Sequence, residues 1–133
     1  IHVCGAAGLR DDKKRPAMGK IAGKYDDVVV LTEEDYRTED LYEICEQIEK
    51  GLIKQNFIKK SYNLIGQNDK RIYTIFENRQ EAINFAVKIA RKNDIVILTG
   101  KSHEKSLCRG KKEYPWDEYK AVEIGLKKRK IEK

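Results

Sequence analysis

Asp27-Val28-Val29-Val30-Leu31-Thr32, an apolar run of strand length, is followed after a charged segment by Asp40-Leu41-Tyr42-Glu43-Ile44-Cys45. This pair decides the fold. Asp40-x-x-Glu43 has the spacing of a capping box, and Leu41, Ile44, Cys45, Ile48 and Leu52 fall on one helical face, with an end expected near Gly51. A strand leading into an amphipathic helix is the repeating unit of a parallel sheet.

The unit recurs on both sides. Ile1–Ala6 reads as a buried strand ending in Gly5-Ala6-Ala7-Gly8, and Arg15–Ala22 as a helix with Pro16 in its first turn. Residues 53 to 70 are polar and irregular, Arg71–Phe76 alternates like a strand, and Asn78-x-x-Glu81 caps a helix bearing Ala82, Ile83, Ala86, Val87 and Ala90. Asp94–Thr99 has a fully buried strand pattern and runs into a loop, Gly100–Arg109, before Asp117 opens a last helix through Ala121, Val122 and Leu126. The order β-α-β-α-β-α-β-loop-α predicts an α/β, Rossmann-like fold: a mainly parallel sheet flanked by helices on both faces. Ligands of such sheets bind at the carboxyl ends of the strands. The loops to inspect are Gly5–Lys14, Thr32–Asp40, Glu77–Arg79 and Gly100–Arg109.

Composition agrees with one globular domain: 133 residues, 40% hydrophobic and 38% charged. The longest apolar runs, Val28–Leu31 and Ile95–Leu98, fall far short of the roughly 20 residues that cross a bilayer. Cys4, Cys45 and Cys108 are odd in number and lack the paired spacing of a zinc site or a disulfide framework. They read as reduced thiols, two of them core filler, with only the basic surroundings of Cys108 able to lower a thiol pKa. No secretory segment precedes them, so a cytoplasmic compartment is expected. The first residue is Ile rather than Met, which reads as a piece of a longer polypeptide.

The net charge of +6 is concentrated in Arg10–Arg15 and in Lys127-Lys128-Arg129-Lys130. The second cluster suits the negative end of a helix dipole. The first precedes a helix N-terminus and is suited to phosphate or carboxylate, or else to internal pairing such as Arg10 with Asp11. Aromatic interleaving of the kind used to stack nucleic acid is absent. In the second loop Glu33, Glu34 and Asp35 repel one another unless solvated or given a cation; an amine ligand is one explanation and helix-start chemistry the other. Gly100 permits close approach at a strand end and is followed by Lys101, His103 and Glu104. There is no phosphate-binding Gly-x-x-x-x-Gly-Lys-[Ser/Thr], since Gly19-Lys20-Ile21-Ala22-Gly23-Lys24 lies within a helix at the wrong spacing, and no serine elbow or metal-ligand pattern.

Three stretches together resemble the C-terminal domain of the Mur ligases, in the branch that adds the third amino acid to UDP-N-acetylmuramoyl-L-alanyl-D-glutamate. They are Gly8–Gly19 (GLRDDKKRPAMG), Thr32–Glu39 (TEEDYRTE) and Gly100–Glu104 (GKSHE), with Asn78-Arg79-x-Glu81-Ala82-Ile83 as a fourth. The resemblance implies a cytoplasmic, monomeric enzyme of peptidoglycan synthesis without nucleic-acid or membrane partners. Two upstream domains, absent from this chain, would hold the uridine nucleotide and most of ATP and Mg2+. The third domain would grip the incoming amino acid, so no catalytic residue is assigned to residues 1–133. Lys13, Lys14 and Arg15 are candidates for nucleotide contact, with no nucleotide site assigned.

Carried over by position, Arg10 matches an arginine that contacts the amino acid, and Gly100 and Glu104 match its far-end pocket. Glu34-Asp35-Tyr36-Arg37 occupies the motif that reads Asp-Asn-Pro-Arg in meso-diaminopimelate-adding enzymes. Arg37 would pair with the distal carboxylate that distinguishes meso-diaminopimelate from lysine. The departures are Asp35 for Asn, Tyr36 for Pro and Ser102 for Gly. Because a free anion at Asp35 favours a lone ammonium, L-lysine is the second substrate expected. A basic α/β module binding phosphate or RNA without ligase activity is the alternative function.

Overall fold

The computed structural model describes residues 1–132. Five strands, β1 (His2–Cys4), β2 (Val28–Leu31), β3 (Ile58–Lys59), β4 (Ile72–Ile75) and β5 (Ile97–Leu98), form one sheet in the order β3-β4-β2-β1-β5, every pair parallel. Four helices complete the layers: α1 (Lys14–Tyr25), α2 (Leu41–Lys54), α3 (Arg79–Ile89) and α4 (Glu118–Glu132). Along β2, Val29 and Leu31 enter the core shared with Ala22, Ile44, Ile48 and Leu52, whereas Val28 and Val30 enter the one shared with Ala82, Ile83, Ala86 and Ala121. Successive residues thus face opposite layers, α1 and α2 on one side and α3 and α4 on the other. An unbroken apolar run is what a strand covered on both faces requires.

The predicted helix starts are made as their spacing implies. Asp40 Oδ1 accepts from the amides of Tyr42 at 2.7 Å and Glu43 at 3.4 Å, and Asn78 Oδ1 accepts from the Glu81 amide at 3.1 Å. Helix α2, however, runs past Gly51 to Lys54. Gly51 is a contact point rather than a stop: a methyl group there would strike the Pro16 carbonyl of α1, and one at Gly19 would strike the Ile48 carbonyl of α2. The two backbones touch where both helices lack side chains.

Three further expectations are corrected. Residues 53–70 hold β3 and a short 3-10 turn, Tyr62–Leu64. Strand β3 exposes both of its residues, so it carries no apolar period, and backbone bonds from Ile58 to Arg71 and from Lys60 to Tyr73, both 2.9 Å, define it instead. Strand β5 is two residues long and lies at the sheet edge, with Ile95 and Ile97 exposed rather than buried. The segment read as a loop to Arg109 contains β6 (Ser106–Arg109), which pairs antiparallel with β7 (Lys112–Pro115) around Gly110 in a left-handed turn. Polar residues on most of this hairpin hid it.

Gly51→Ala tests the contact between α1 and α2. Alanine is favoured over glycine in a helix by about 1 kcal/mol, yet the substitution is expected to lower unfolding free energy by about 2 kcal/mol in urea denaturation, because overpacking outweighs propensity. A neutral or stabilised variant contradicts the contact.

Candidate functional site

Among the described residues the buried charged side chains, Arg15, Glu33, Arg79, Lys101 and Glu118, are tied to the loops at the carboxyl ends of the strands or to the first turns that follow them. Arg79 is fully buried in the first turn of α3. Its Nη1 donates to the Glu33 carbonyl at 3.2 Å and its Nη2 to the Thr99 carbonyl at 2.9 Å, just beyond β2 and β5. Nε and Nη2 also grip the Glu118 carboxylate of α4 at 3.1 and 2.7 Å, and Trp116 Nε1 donates to the same group at 2.6 Å. One guanidinium therefore joins two strand ends and two helices.

The three consecutive acids after β2 are handled in three ways. Glu33 is buried and forms a fork with Arg109 of the hairpin, Nε to Oε1 and Nη2 to Oε2, both at 2.7 Å, while Oε2 also accepts from the Arg79 amide at 3.0 Å. Glu34 meets no such partner. Burial pushes its carboxyl up to about 7 against the opposing pull of Lys101 and Arg79, so near neutral pH it is about half protonated. Its side chain lies against Gly100, where an added Cβ would sit 2.6 Å from Oε2; Gly100 also has φ +108, a conformation that glycine adopts without strain. For Asp35, burial opposes the charge, but Oδ1 accepts from Lys101 Nζ at 2.8 Å and from the Cys108 amide at 2.7 Å, and these contacts hold its carboxyl below the usual range. The repulsion expected in this loop is met by internal cations and by the raised proton affinity of Glu34, and helix-start chemistry does not reach it, since α2 begins at Leu41.

Arg37 lies in the left-handed region at φ 56, and Tyr36 packs against the core under α1 and α2. Arg37 Nη1 donates to the Gly8 carbonyl at 2.7 Å, and Nη2 lies 4.0 Å from Asp35 Oδ2. The first and second loops are further joined by Gly8 N–H to the Asp35 carbonyl at 2.8 Å and Leu9 N–H to Glu39 Oε1 at 2.6 Å. Glu104, half exposed, accepts from Lys101 Nζ at 3.3 Å. The structure thus gathers Glu34, Asp35, Arg37, Gly100 and Glu104 around Lys101. Arg10, Lys13 and Lys14 are exposed on the first loop, and among the described residues the Arg10 side chain makes no ion pair, with Asp11 or otherwise. Arg15 differs from the expectation of a nucleotide contact: it is buried and spent on Glu39, Gln47 and the Ala7 carbonyl at 2.9 to 3.1 Å.

Sequence reasoning took Glu33 only as one of three mutually repelling acids, Lys101 only as a member of the Gly100–Glu104 loop and Arg79 only as part of a motif, and it passed over Arg109 and Glu118. Lys101 had one signal, its place between Gly100 and Glu104 at a strand end. Arg109 had none, because the hairpin that delivers it was read as loop. Cys108 also departs from expectation: burial and Glu113 push its thiol up, outweighing Arg37, and Cys4 and Cys45 are pushed up to about 12 by burial. All three are free and buried.

Residues 1–102 match the family described as Mur ligase, glutamate ligase domain. The chain belongs to the Mur ligases. This Mur ligase chain is 42% identical over 122 residues to the UDP-N-acetylmuramoyl-L-alanyl-D-glutamate--2,6-diaminopimelate ligase of Caldanaerobacter subterraneus subsp. tengcongensis, a match covering 92% of this chain and 22% of that protein. It is 39% identical over 118 residues to the UDP-N-acetylmuramyl-tripeptide synthetase of a Roseiflexus strain, covering 89% of this chain and 21% of that protein. A solved structure of a UDP-N-acetylmuramoyl-L-alanyl-D-glutamate--2,6-diaminopimelate ligase aligns with a TM-score of 0.78 and 28% identity over 97% of this chain and 24% of that one. The Mur ligase chain therefore spans about a quarter or less of the length of these relatives.

Glu34→Gln tests the charge assignment. A carboxyl whose folded pKa is raised from 4.5 to about 7 contributes stability fully below the lower value and loses it as pH rises through the higher one. The variant should match the parent near pH 5 and, allowing for partial exposure, be more stable at pH 8 by roughly 1–2 kcal/mol in denaturant unfolding. Equal pH dependence of the two proteins contradicts the assignment.

Proposed function

We propose that the chain is the amino-acid-binding third domain of an ATP-dependent ligase that joins meso-diaminopimelate to UDP-N-acetylmuramoyl-L-alanyl-D-glutamate in peptidoglycan synthesis. The observation that carries this reading is the joining of the Glu34–Arg37 loop to the Gly100–Glu104 loop through Lys101, beside an Arg37 guanidinium whose Nη1 donates to the Gly8 and Asp35 carbonyls while Nη2 makes no hydrogen bond among the described residues. The names of the relatives support it.

The chemistry follows from the charges. Meso-diaminopimelate carries an ammonium and a carboxylate at its distal end, whereas lysine carries the ammonium alone. Arg37 offers a fork to the carboxylate, and Glu104 accepts from the ammonium. A fully ionised, unpaired acid loop would favour lysine. With Glu33 and Asp35 paired to cations and Glu34 half neutral, that bias is removed. Arg10, exposed on the adjoining loop, is assigned to the reacting end of the amino acid. ATP with Mg2+, held mainly by domains outside this chain, supplies the phosphoryl group that makes the D-glutamate carboxylate reactive. This domain orients the attacking amine, a contribution of positioning. Among the described residues no group of three or more His, Cys, Asp or Glu side chains is placed to hold a metal, and no metal ligand is assigned here. None of the described helices is long and apolar enough to cross a membrane. The proposal places the reaction in the cytoplasm, with a monomer acting without nucleic acid or membrane.

The test is Arg37→Ala in the full-length enzyme. A charge-assisted hydrogen bond contributes about 1.5–3 kcal/mol, so discrimination in kcat/KM between meso-diaminopimelate and L-lysine should fall by roughly ten- to a hundredfold. Normal discrimination by the variant contradicts the assignment of Arg37.

A further inference from the structure

Asp35 lies between two cations. Its Oδ1 is taken by Lys101 Nζ at 2.8 Å and by the Cys108 amide, while its Oδ2 is 4.0 Å from Arg37 Nη2. The Lys101 side chain is fully buried, so its ammonium has a fixed position; besides Asp35 it reaches only Glu104, at 3.3 Å, among the described residues. Arg37 is fixed from the opposite side by the bond from Nη1 to the Gly8 carbonyl at 2.7 Å, which turns Nη2 toward Asp35. The two anchors hold the carboxylate and the guanidinium of the same loop at the outer limit of an ion pair, 4.0 Å apart and beyond hydrogen-bond distance, while Arg37 Nη1 also donates to the Asp35 carbonyl at 3.4 Å.

We propose that Lys101 is a positioning residue that sets amino-acid specificity: by drawing the Asp35 carboxylate to itself, it keeps Arg37 available to the distal carboxylate of a diamino dicarboxylic acid. The inference rests on the proposed function, in which this site holds the incoming amino acid. A guanidinium binds one carboxylate edge-on in a planar fork, so an internal carboxylate on that edge excludes the ligand's. Without the Lys101 ammonium, the nearest cation to Asp35 is Arg37, two residues away on the same loop. The pair then closes, Arg37 loses its free edge, and Glu104 becomes the dominant recognition group. Selection shifts from the dicarboxylic acid toward lysine. Asp35, which as a bare anion would disfavour meso-diaminopimelate, is compatible with it because of Lys101.

The experiment compares the parent chain with Lys101→Met, Asp35→Asn and the double variant. The affinities of each for meso-diaminopimelate and L-lysine are measured by amide-shift titration, and the Arg37 Nε–H resonance is recorded without ligand. Lys101→Met should lower the preference for meso-diaminopimelate over lysine by about tenfold or more and shift the Arg37 resonance as its new partner arrives. The double variant should restore both, because removing the competing carboxylate makes Lys101 dispensable for this purpose; a purely structural role for Lys101 gives no such rescue. An unmoved preference in Lys101→Met, or a double variant that restores neither, overturns the proposal. If Lys101→Met does not fold, Asp35→Asn decides: it should keep or raise the preference, and a fall overturns the proposal. If the parent shows no preference between the two amino acids, the substrate reading fails, and the ligand-free Arg37 resonance across the four proteins still decides whether Lys101 governs the Asp35–Arg37 pair.

Discussion

Arg79 is a fully buried cation, and the carboxyl edge of the sheet is arranged so as to satisfy it. A buried guanidinium loses several kcal/mol of hydration, on the order of what its pairing returns, so the Arg79–Glu118 bridge is not by itself a source of large net stability. Its consequence is geometric. The donors of Arg79 fix the carbonyls of Glu33 and Thr99 and the carboxylate of Glu118, so the segments leaving β2 and β5 cannot move independently of the first turns of α3 and α4. Glu33, held from behind by the Arg79 amide, in turn receives Arg109 and brings the β6–β7 hairpin over the loop that carries Asp35 and Arg37.

Much of the site's electrostatics follows from that scaffold. Twenty-two residues beyond Arg79 in the sequence the sheet delivers the second anchor, Lys101, and around it Asp35 stays ionised because an ammonium and an amide contact it, while the neighbouring Glu34 is raised by burial that no direct hydrogen bond offsets. Adjacent carboxylates in different protonation states provide a site that is neither a simple anion trap nor a simple amine trap. In the proposed function, an amino acid with a zwitterionic distal end is the ligand complementary to such a surface, since each of its charges finds one opposite charge rather than two alike.

The elements readable from sequence were those whose burial is two-sided or whose caps are local. Val28–Leu31, the Asp40 cap, the Asn78 cap and the apolar stripe of α2 depend on neighbours within a few residues, and the structure has them where the spacing predicts. What escaped depends on distant partners. Gly51 looks like a stop until α1 lies against it, β3 is a strand only because β4 offers carbonyls, and Ile95 and Ile97 look like core until their strand proves to be the sheet edge. In the site, the loops carrying Glu34, Asp35, Arg37, Gly100 and Glu104 could be located from strand ends alone. Lys101 and Arg15 could not be told from solvated cations, because the partners that bury them lie 66 and 24 residues away.

The most direct test of the central claim is an NMR titration of this chain with meso-diaminopimelate, L-lysine and, as a control, ATP. Ligands should be used at millimolar concentration, since in the proposal much of the complete enzyme's site lies in other domains. The account predicts amide shifts confined to Arg10, Glu34–Arg37 and Gly100–Glu104 with meso-diaminopimelate, and weaker shifts there with lysine. Shifts produced only by ATP, at Lys13 and Lys14, with the Glu34–Arg37 and Gly100–Glu104 loops silent to both amino acids, would contradict it.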